Sequence, residues 1–295
     1  MCQFKFFIKY YLKLVPIYTA KALINGSAFH EGKATFYLTH SKKKAMTVCK
    51  NEIISRELEF EYEEDYISVY KRCPILLDYW IDKLGYDDLE YFTPYMVEEE
   101  LRFKLGNGSH AFITLRPDTI LKSKKTGKLF GMETKTSSFS KKLAILGVEN
   151  GDQATTYWAG LQEHLHGENI ECILADVAYW NKSSDDEANI DCVRSAPIVR
   201  YPEDIRQYKA STAQLFYEMS TKVQAVVAGH DPYTLFKRNT SHCNSFFKPC
   251  EYLPICRKQG LCDGFRSYKR YGLKKDRANP LKNFSAYTAT VDNLM

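Results

Sequence analysis

Residues 116–135 read RPDTILKSKKTGKLFGMETK, two apolar runs on either side of a polar turn that contains Gly127. Residues 119–121 predict a strand, 122–128 a turn and 129–135 the next strand. Asp118 follows the apolar residues 111–115, at the point where Pro117 has no N–H to give to a ladder. Glu133 and Lys135 lie two positions apart on one strand, so both side chains leave the same face. In a hairpin-like arrangement Asp118, Glu133 and Lys135 converge on one end of a sheet.

Phosphodiester cleavage requires such a group. Two carboxylates hold Mg²⁺ or Mn²⁺, hard cations that favour oxygen ligands, and the Thr134 carbonyl is expected to turn toward the same ion. The ion neutralises the scissile phosphate and lowers the pKa of bound water. A lysine beside it orients that water or offsets charge building on phosphorus. Taken alone, the trio reads equally as a surface hairpin with a Glu–Lys pair along one strand face.

The pattern extends to both sides. Residues 101–105 alternate apolar and basic, the mark of a half-buried strand. Residues 152–165 carry helical spacing, 170–180 form an apolar strand, and 204–227 a long helix opened by Glu203 and Asp204. Upstream, residues 3–40 read as helical with breaks near Pro16 and Asn25-Gly26. A second helical region covers 52–84, its run of glutamates from Glu57 to Glu64 a solvated face. Helices, a strand meander, then helix, strand and helix predict an α/β domain with a central mixed sheet flanked by helices.

The 295 residues are 44% hydrophobic, 26% charged and 14% aromatic, enough for one large core and unlike a disordered chain. A net charge of +5 permits an acidic partner such as nucleic acid without demanding one. No apolar run reaches the roughly 18 residues of a membrane span. Lys5, Lys9 and Lys13 interrupt the apolar start, where Phe4, Phe7, Tyr11 and Leu14 recur at helical spacing, so we expect a packed amphipathic helix rather than a signal peptide, and a cytoplasmic protein. Without repeat or linker, residues 1–262 are expected to form a single domain: a helical part (1–95), a catalytic core (96–228) and a cysteine-rich segment (243–262), with a basic tail at 263–295.

Two further groups flank the trio. Gly26 to His30 places an imidazole one turn beyond small residues that let a helix approach a sheet edge. Gln153 and Tyr157, at i and i+4, share a helix face suited to a phosphate, a base or an attacking water. In the order G-x-x-x-H, P-D, E-x-K, Q-x-x-x-Y, the chain resembles the PD-(D/E)XK nuclease superfamily, in the branch of RecB-type and CRISPR-associated exonucleases. The resemblance implies a restriction-endonuclease-like core with His30, Asp118 and Glu133 as metal ligands. It implies Lys135 as the catalytic lysine, with Gln153 and Tyr157 helping to position substrate. One glutamate of Glu98, Glu99 and Glu100 matches an acidic position of that family, without the sequence selecting which.

Nine cysteines, an odd number, do not make a pure disulfide framework. Cys49, Cys73, Cys172, Cys192 and Cys262 are scattered singly, and most read as buried small apolar groups. Cys243, Cys250 and Cys256 crowd a proline-containing aromatic segment without the close pairing of zinc sites, and a soft metal or cluster suits them. The fourth ligand is open among Cys2, Cys262 and Cys73. The RecB-like resemblance implies a 4Fe–4S cluster that joins one N-terminal cysteine to three C-terminal ones, which selects Cys2, with Cys262 as the alternative. Two departures stand out: the first C-terminal interval is six residues where some relatives have two, and the residues that precede the first cysteine in that family are missing.

Residues 266–282 carry seven basic side chains against Asp276, with Tyr268 and Tyr271 interleaved, which suits single-stranded nucleic acid or a charged chain end equally. The expectation is a metal-dependent DNA exonuclease acting on free or single-stranded ends in replication, recombination or repair. Without a G-x-x-x-x-G-K-[ST] loop it would work alone or beside a separate helicase or recombinase. The competing reading is a non-catalytic nucleic-acid-binding module that keeps the fold and the cluster. The intact set His30, Asp118, Glu133 and Lys135 argues against it.

Overall fold

The computed structural model describes residues 2–105, 112–165, 170–181, 189–243 and 249–256, with the backbone alone at 268–270. Cys262 and most of the basic tail lie outside these residues. The chain forms two compact units, residues 19–213 and residues 1–18 with 214–295.

The larger unit is built on the predicted hairpin. β5 (Thr119–Ser123) and β6 (Leu129–Ser137) pair antiparallel, with Thr119 opposite Met132. Gly127, at φ +70°, makes the left-handed step of the turn that an L-residue resists. β2 (Phe92–Val97) pairs antiparallel with β5, β7 (Ile170–Trp180) lies parallel to β6, and β8 (Ile190–Arg194) closes the order β2-β5-β6-β7-β8. The parallel β6–β7 step requires a crossover, supplied by α6 (Lys141–Glu149) and α7 (Asp152–His164). Ser140 starts α6 by accepting the Leu143 N–H at 3.2 Å. With helices on both faces, β7 is apolar almost throughout.

Side-chain parity divides the layers. Leu121, Met132, Ala178 and Trp180 pack beneath α2 (Lys21–Thr39) and α4 (Glu63–Trp80), against Phe29, Tyr37 and Trp80. Ile120, Leu129, Ile173 and Ala175 face the other way, onto Ala154, Trp158 and Leu161 of α7. This is the expected α/β architecture, a five-stranded mixed sheet flanked by helices and consistent with a restriction-endonuclease-like core. No helix among the described residues is long and apolar enough to cross a membrane.

Three local expectations are corrected. β3 (Leu101–Lys104) and β4 (Phe112–Leu115) do not join the central sheet but form a separate two-stranded ribbon. The ribbon's apolar face lies on α7 so closely that a Cβ at Gly160 would meet Leu115 at 2.3 Å. α2 runs unbroken through Asn25-Gly26, because Ile24, Ala28 and Phe29 are fully buried on its inner face and outweigh a propensity cost of about 1 kcal/mol. At Gly26 a Cβ would find only ordinary contact, with Thr136 at 3.9 Å; the close approach comes instead at Gly32, against Leu77 and Cys49. Residues 52–84 are helical over most of their length, as expected, in pieces: the end of α3 (Lys42–Ser55), a short turn of 3-10 helix at Glu57–Glu59, α4 and its π-helical continuation Ile81–Gly85.

The smaller unit gathers α1 (Gln3–Phe6) with its π-helical continuation to Tyr11, β1 (Leu14–Pro16), the later part of α8 (Pro202–Val227), α9 (Pro232–Leu235), α10 (Leu253–Cys256) and β9 (Tyr268–Arg270). Phe4, Phe7 and Ile8 are buried with Met219, Val226, Phe236, Tyr252 and Ile255, as the helical spacing of the N-terminal aromatics required. The Tyr252 hydroxyl donates to the Leu14 carbonyl at 3.0 Å, and Leu14 also pairs with Arg270 in the β1–β9 ladder.

Candidate metal centre and active site

The sheet register sets the site. Val97 pairs with Thr119 and Thr119 with Met132, so Glu98, Asp118 and Glu133 stand one step further along three neighbouring strands. Opposed positions of antiparallel strands present their side chains on one face, and three carboxylates therefore meet at one end of the sheet. Glu98 is held in the left-handed region at φ +52°, and its N–H donates to the Asp118 carbonyl at 3.2 Å. Sequence left three glutamates open at this point; the structure selects Glu98.

His30 reaches the same point from α2. Its Nδ1 lies 3.4 Å from Asp118 Oδ1 and 3.5 Å from Glu98 Oε1. One ligand atom each from His30, Glu98 and Asp118 lies within 4.8 Å of the others, close enough for the three to share one metal ion. Arg116 Nε caps the other Glu98 oxygen at 3.0 Å. Thr134 N–H donates to Asp118 Oδ2 at 2.7 Å, which leaves Oδ1 turned toward His30.

Glu133 completes the carboxylate row from deeper inside, 1% exposed. One oxygen pairs with the Lys135 ammonium, while the other, Oε2, is buried without a hydrogen-bond partner. A buried unsatisfied acceptor costs on the order of 1–3 kcal/mol, more when charged. An oxygen left in that condition beside a His–Asp–Glu group is what a hard cation would take up. The donor set fits Mg²⁺ or Mn²⁺, and among the described residues it offers no thiolate that would draw a softer metal.

The charges respond accordingly. Burial raises the Glu133 carboxyl above its usual range, the neighbouring Asp118 raises it further, and Lys135 only partly offsets this. Burial works against ionised Asp118 as well, but His30, Lys33 and the Thr134 N–H together hold it below the ordinary carboxylate range. Desolvation works against the His30 imidazolium, yet Asp118 and Glu98 raise its pKa to about 9. Burial and the Glu133 and Asp118 charges also push the Tyr157 phenol up, which keeps it protonated and a donor.

α7 supplies the remaining groups. Lys135 donates to Gln153 Oε1 at 2.8 Å, and Gln153 Nε2 donates to the Tyr157 hydroxyl at 3.0 Å. The i, i+4 spacing thus brings amide and phenol together beside the catalytic strand. Tyr157 in turn donates to the Arg116 carbonyl at 3.4 Å. His30, Asp118, Glu133, Thr134, Lys135, Gln153 and Tyr157 all fall in this one cluster. Sequence reading missed Lys33, a buried cation one helical turn beyond His30.

The smaller unit holds the second predicted group. Cys2, Cys243, Cys250 and Cys256 line one cavity, and none is disulfide-bonded. Burial raises the Cys256 thiol, with Cys2, Cys243 and Cys250 adding to the effect and Arg238 opposing it. The Asn239 N–H points at Cys2 Sγ over 3.5 Å, and the Cys243 thiol at the Asn239 carbonyl over 3.9 Å. Cys49, Cys73, Cys172 and Cys192 are buried apart from this cavity, as expected of small apolar groups.

No curated protein matches the chain. The family profile described as the PD-(D/E)XK nuclease superfamily matches residues 1–257, a span that contains the carboxylate row, the lysine, the α7 pair and all four cavity cysteines. The chain belongs to the PD-(D/E)XK nuclease superfamily.

Proposed function

We propose that this chain is a divalent-metal-dependent deoxyribonuclease, an exonuclease that hydrolyses phosphodiester bonds at single-stranded DNA ends in replication, recombination or repair. The observation that carries the hydrolytic part is the row Glu98–Asp118–Glu133, met by His30 and flanked by Lys135. The exonuclease and single-strand elements rest on the resemblance of the ordered motifs to RecB-type enzymes. The same proposal places the chain in the cytoplasm, on the reading of its N-terminal residues as a packed helix. It has the chain act alone or beside a separate helicase or recombinase, since its sequence carries no G-x-x-x-x-G-K-[ST] loop.

In this reading His30, Glu98, Asp118 and Glu133 hold Mg²⁺ or Mn²⁺, with the Thr134 carbonyl as a further oxygen. The ion supplies charge neutralisation at the phosphate and acidifies a bound water. The chain's own groups do the rest. Lys135, shared between Glu133 and Gln153, has its ammonium held at the mouth of the site, placed to orient the attacking water and to face charge on phosphorus. Gln153 and Tyr157 fix that ammonium from the side, and Arg116, more than half exposed, offers a guanidinium to the substrate backbone.

The same reading assigns Cys2, Cys243, Cys250 and Cys256 to a 4Fe–4S cluster. Four free thiols around one cavity, from positions more than 240 residues apart in sequence, support it. Such a cluster would tie the N-terminal helix to the C-terminal segment and act as a structural clasp.

Degradation of end-labelled single- and double-stranded DNA with Mg²⁺ or Mn²⁺ tests the reading. Wild type should degrade DNA only with the metal, and Glu133→Ala and Lys135→Ala should nearly abolish the activity. Equal degradation by wild type and both variants would overturn it.

A further inference from the structure

Lys33 is 1% exposed, an unusual condition for an ammonium. It lies three residues beyond His30 on α2 and donates to the hydroxyl of Thr134. Its charge also sits 5.0 Å from the Trp80 ring and 5.6 Å from the Tyr37 ring, where the faces of both aromatics attract a cation. Both rings pass the contact on. The Tyr37 hydroxyl donates to Asp88 at 2.7 Å and the Trp80 indole to Asp176 at 3.3 Å. Arg194 binds both carboxylates, at 2.7 and 2.8 Å to Asp88 and 2.7 and 2.9 Å to Asp176.

This network lies directly behind the catalytic strand. Thr134 pairs with Asp176 and Asp176 with Arg194, so the three form a row across β6, β7 and β8 on the face turned to α2. Thr134 sits between Glu133 and Lys135 but points to the opposite side. Arg194 pairs with both buried carboxylates, whereas Lys33 reaches β6, the strand that carries the chemistry, through the Thr134 hydroxyl. Thr134 is therefore held twice: its hydroxyl by Lys33 and its N–H by Asp118.

Resting on the nuclease reading above, we infer that Lys33 is a positioning residue for cleavage, acting through Thr134. One ammonium fixes the helix that carries His30 to the one residue lying between Glu133 and Lys135. A shift of β6 against α2 would displace the histidine from the carboxylate row and turn the lysine from its water. A purely structural role would instead register in stability alone.

The test compares Lys33→Met, Thr134→Val, their double variant and Thr134→Ser, with Glu133→Ala as reference, by kcat, KM for DNA and melting temperature. Lys33→Met and Thr134→Val should each lower kcat about 100-fold, the scale of a misplacement near 1 Å, with KM for DNA unchanged. The double variant should lose no more than either single one, because both break the same link. Thr134→Ser, which restores a hydroxyl for Lys33, should recover at least about tenfold of the kcat that Thr134→Val loses. Wild-type kcat in Thr134→Val, or losses that multiply in the double variant, would overturn the inference. If Lys33→Met fails to fold, the contrast between Thr134→Val and Thr134→Ser decides. If Glu133→Ala matches wild type, the nuclease reading itself fails; if Glu133→Ala is inactive while Thr134→Val is active, only the role of Lys33 falls.

Discussion

The main-chain N–H of Thr134 donates to Oδ2 of Asp118 at 2.7 Å, so the strand that carries Glu133 and Lys135 orients the carboxylate of its neighbour. This bond asks only for an acceptor. Asp118→Asn can keep it through the amide oxygen while removing the charge. The variant should fold but melt below wild type at neutral pH. It gives up the attraction of the His30 and Lys33 charges that hold Asp118, against burial, below the ordinary carboxylate range, a loss only partly offset by relieving its repulsion with Glu133. Metal-dependent cleavage should fall at least ~100-fold, as for loss of a charge-stabilising group. A folded Asp118→Asn protein with wild-type activity would exclude Asp118 as a ligand.

On the proposed ligand set, His30 would give metal binding a pH dependence. Held at about 9 by Asp118 and Glu98 against the cost of burial, the metal-free imidazole is protonated at neutral pH and must lose that proton to bind an ion. Mn²⁺ affinity should therefore rise by up to about tenfold per pH unit between pH 6 and 8, with proton release in calorimetry. Without metal the sign for folding is the reverse. A raised folded pKa gives stability that is complete below about 6.5 and lost as pH climbs toward about 9. His30→Gln should remove both slopes, and an Mn²⁺ affinity that is flat over this range would contradict the assignment.

The hairpin, the crossover helix and β7 were legible because each follows from local pattern: alternation, a glycine turn, an uninterrupted apolar run. β2 was hidden by Pro94, which argues against an inner strand; the structure places β2 at the sheet edge, with an irregularity beside that proline. Asp118, Glu133 and Lys135 could be found from spacing, and His30 and Gln153–Tyr157 from motif order. Glu98 could not be separated from Glu99 and Glu100, since only its register opposite Asp118 distinguishes it. Lys33 carried no signal at all. A lysine in a helix reads as solvated until tertiary packing buries it between two rings and a threonine.

Asp191 offers a test of the frame outside the site. It accepts from Lys83 at 2.5 Å and Lys141 at 2.6 Å, joining β8 to the start of α6 and to the π-helical residues Ile81–Gly85 that continue α4. Chiefly through those hydrogen bonds, Lys141 first, its pKa falls to about 2. Asp191 is only partly buried and the two lysines are 41% and 39% exposed, so screening limits its worth to less than ~1 kcal/mol. A depressed folded pKa gives stability that is present above the unfolded value near 3.9 and fades as pH drops toward about 2. Asp191→Asn should thus melt slightly below wild type at pH 7, and the gap should close near pH 2.5. A gap of constant size would mean that the loss comes from something other than charge.

The four cavity cysteines separate a cluster from plain thiols by colour. Burial, with Cys2, Cys243 and Cys250 adding to it and Arg238 opposing, raises the Cys256 thiol, so a metal-free thiolate is disfavoured at that position. Iron–sulfur loading removes that penalty by taking up the thiolate charge. Protein purified without oxygen should be brown and bleach on reduction, whereas a zinc protein is colourless. Cys250→Ala and Cys256→Ala should lose colour and solubility together, because the proposed cluster would join segments far apart in sequence. Cys49→Ser is the matched control: Cys49 is equally unpaired by disulfide, but lies in the core of the larger unit. Its variant should stay brown even if it melts lower. Colour lost in all three variants would point to general unfolding, and a colourless but fully stable Cys256→Ala protein would deny the cluster any structural part.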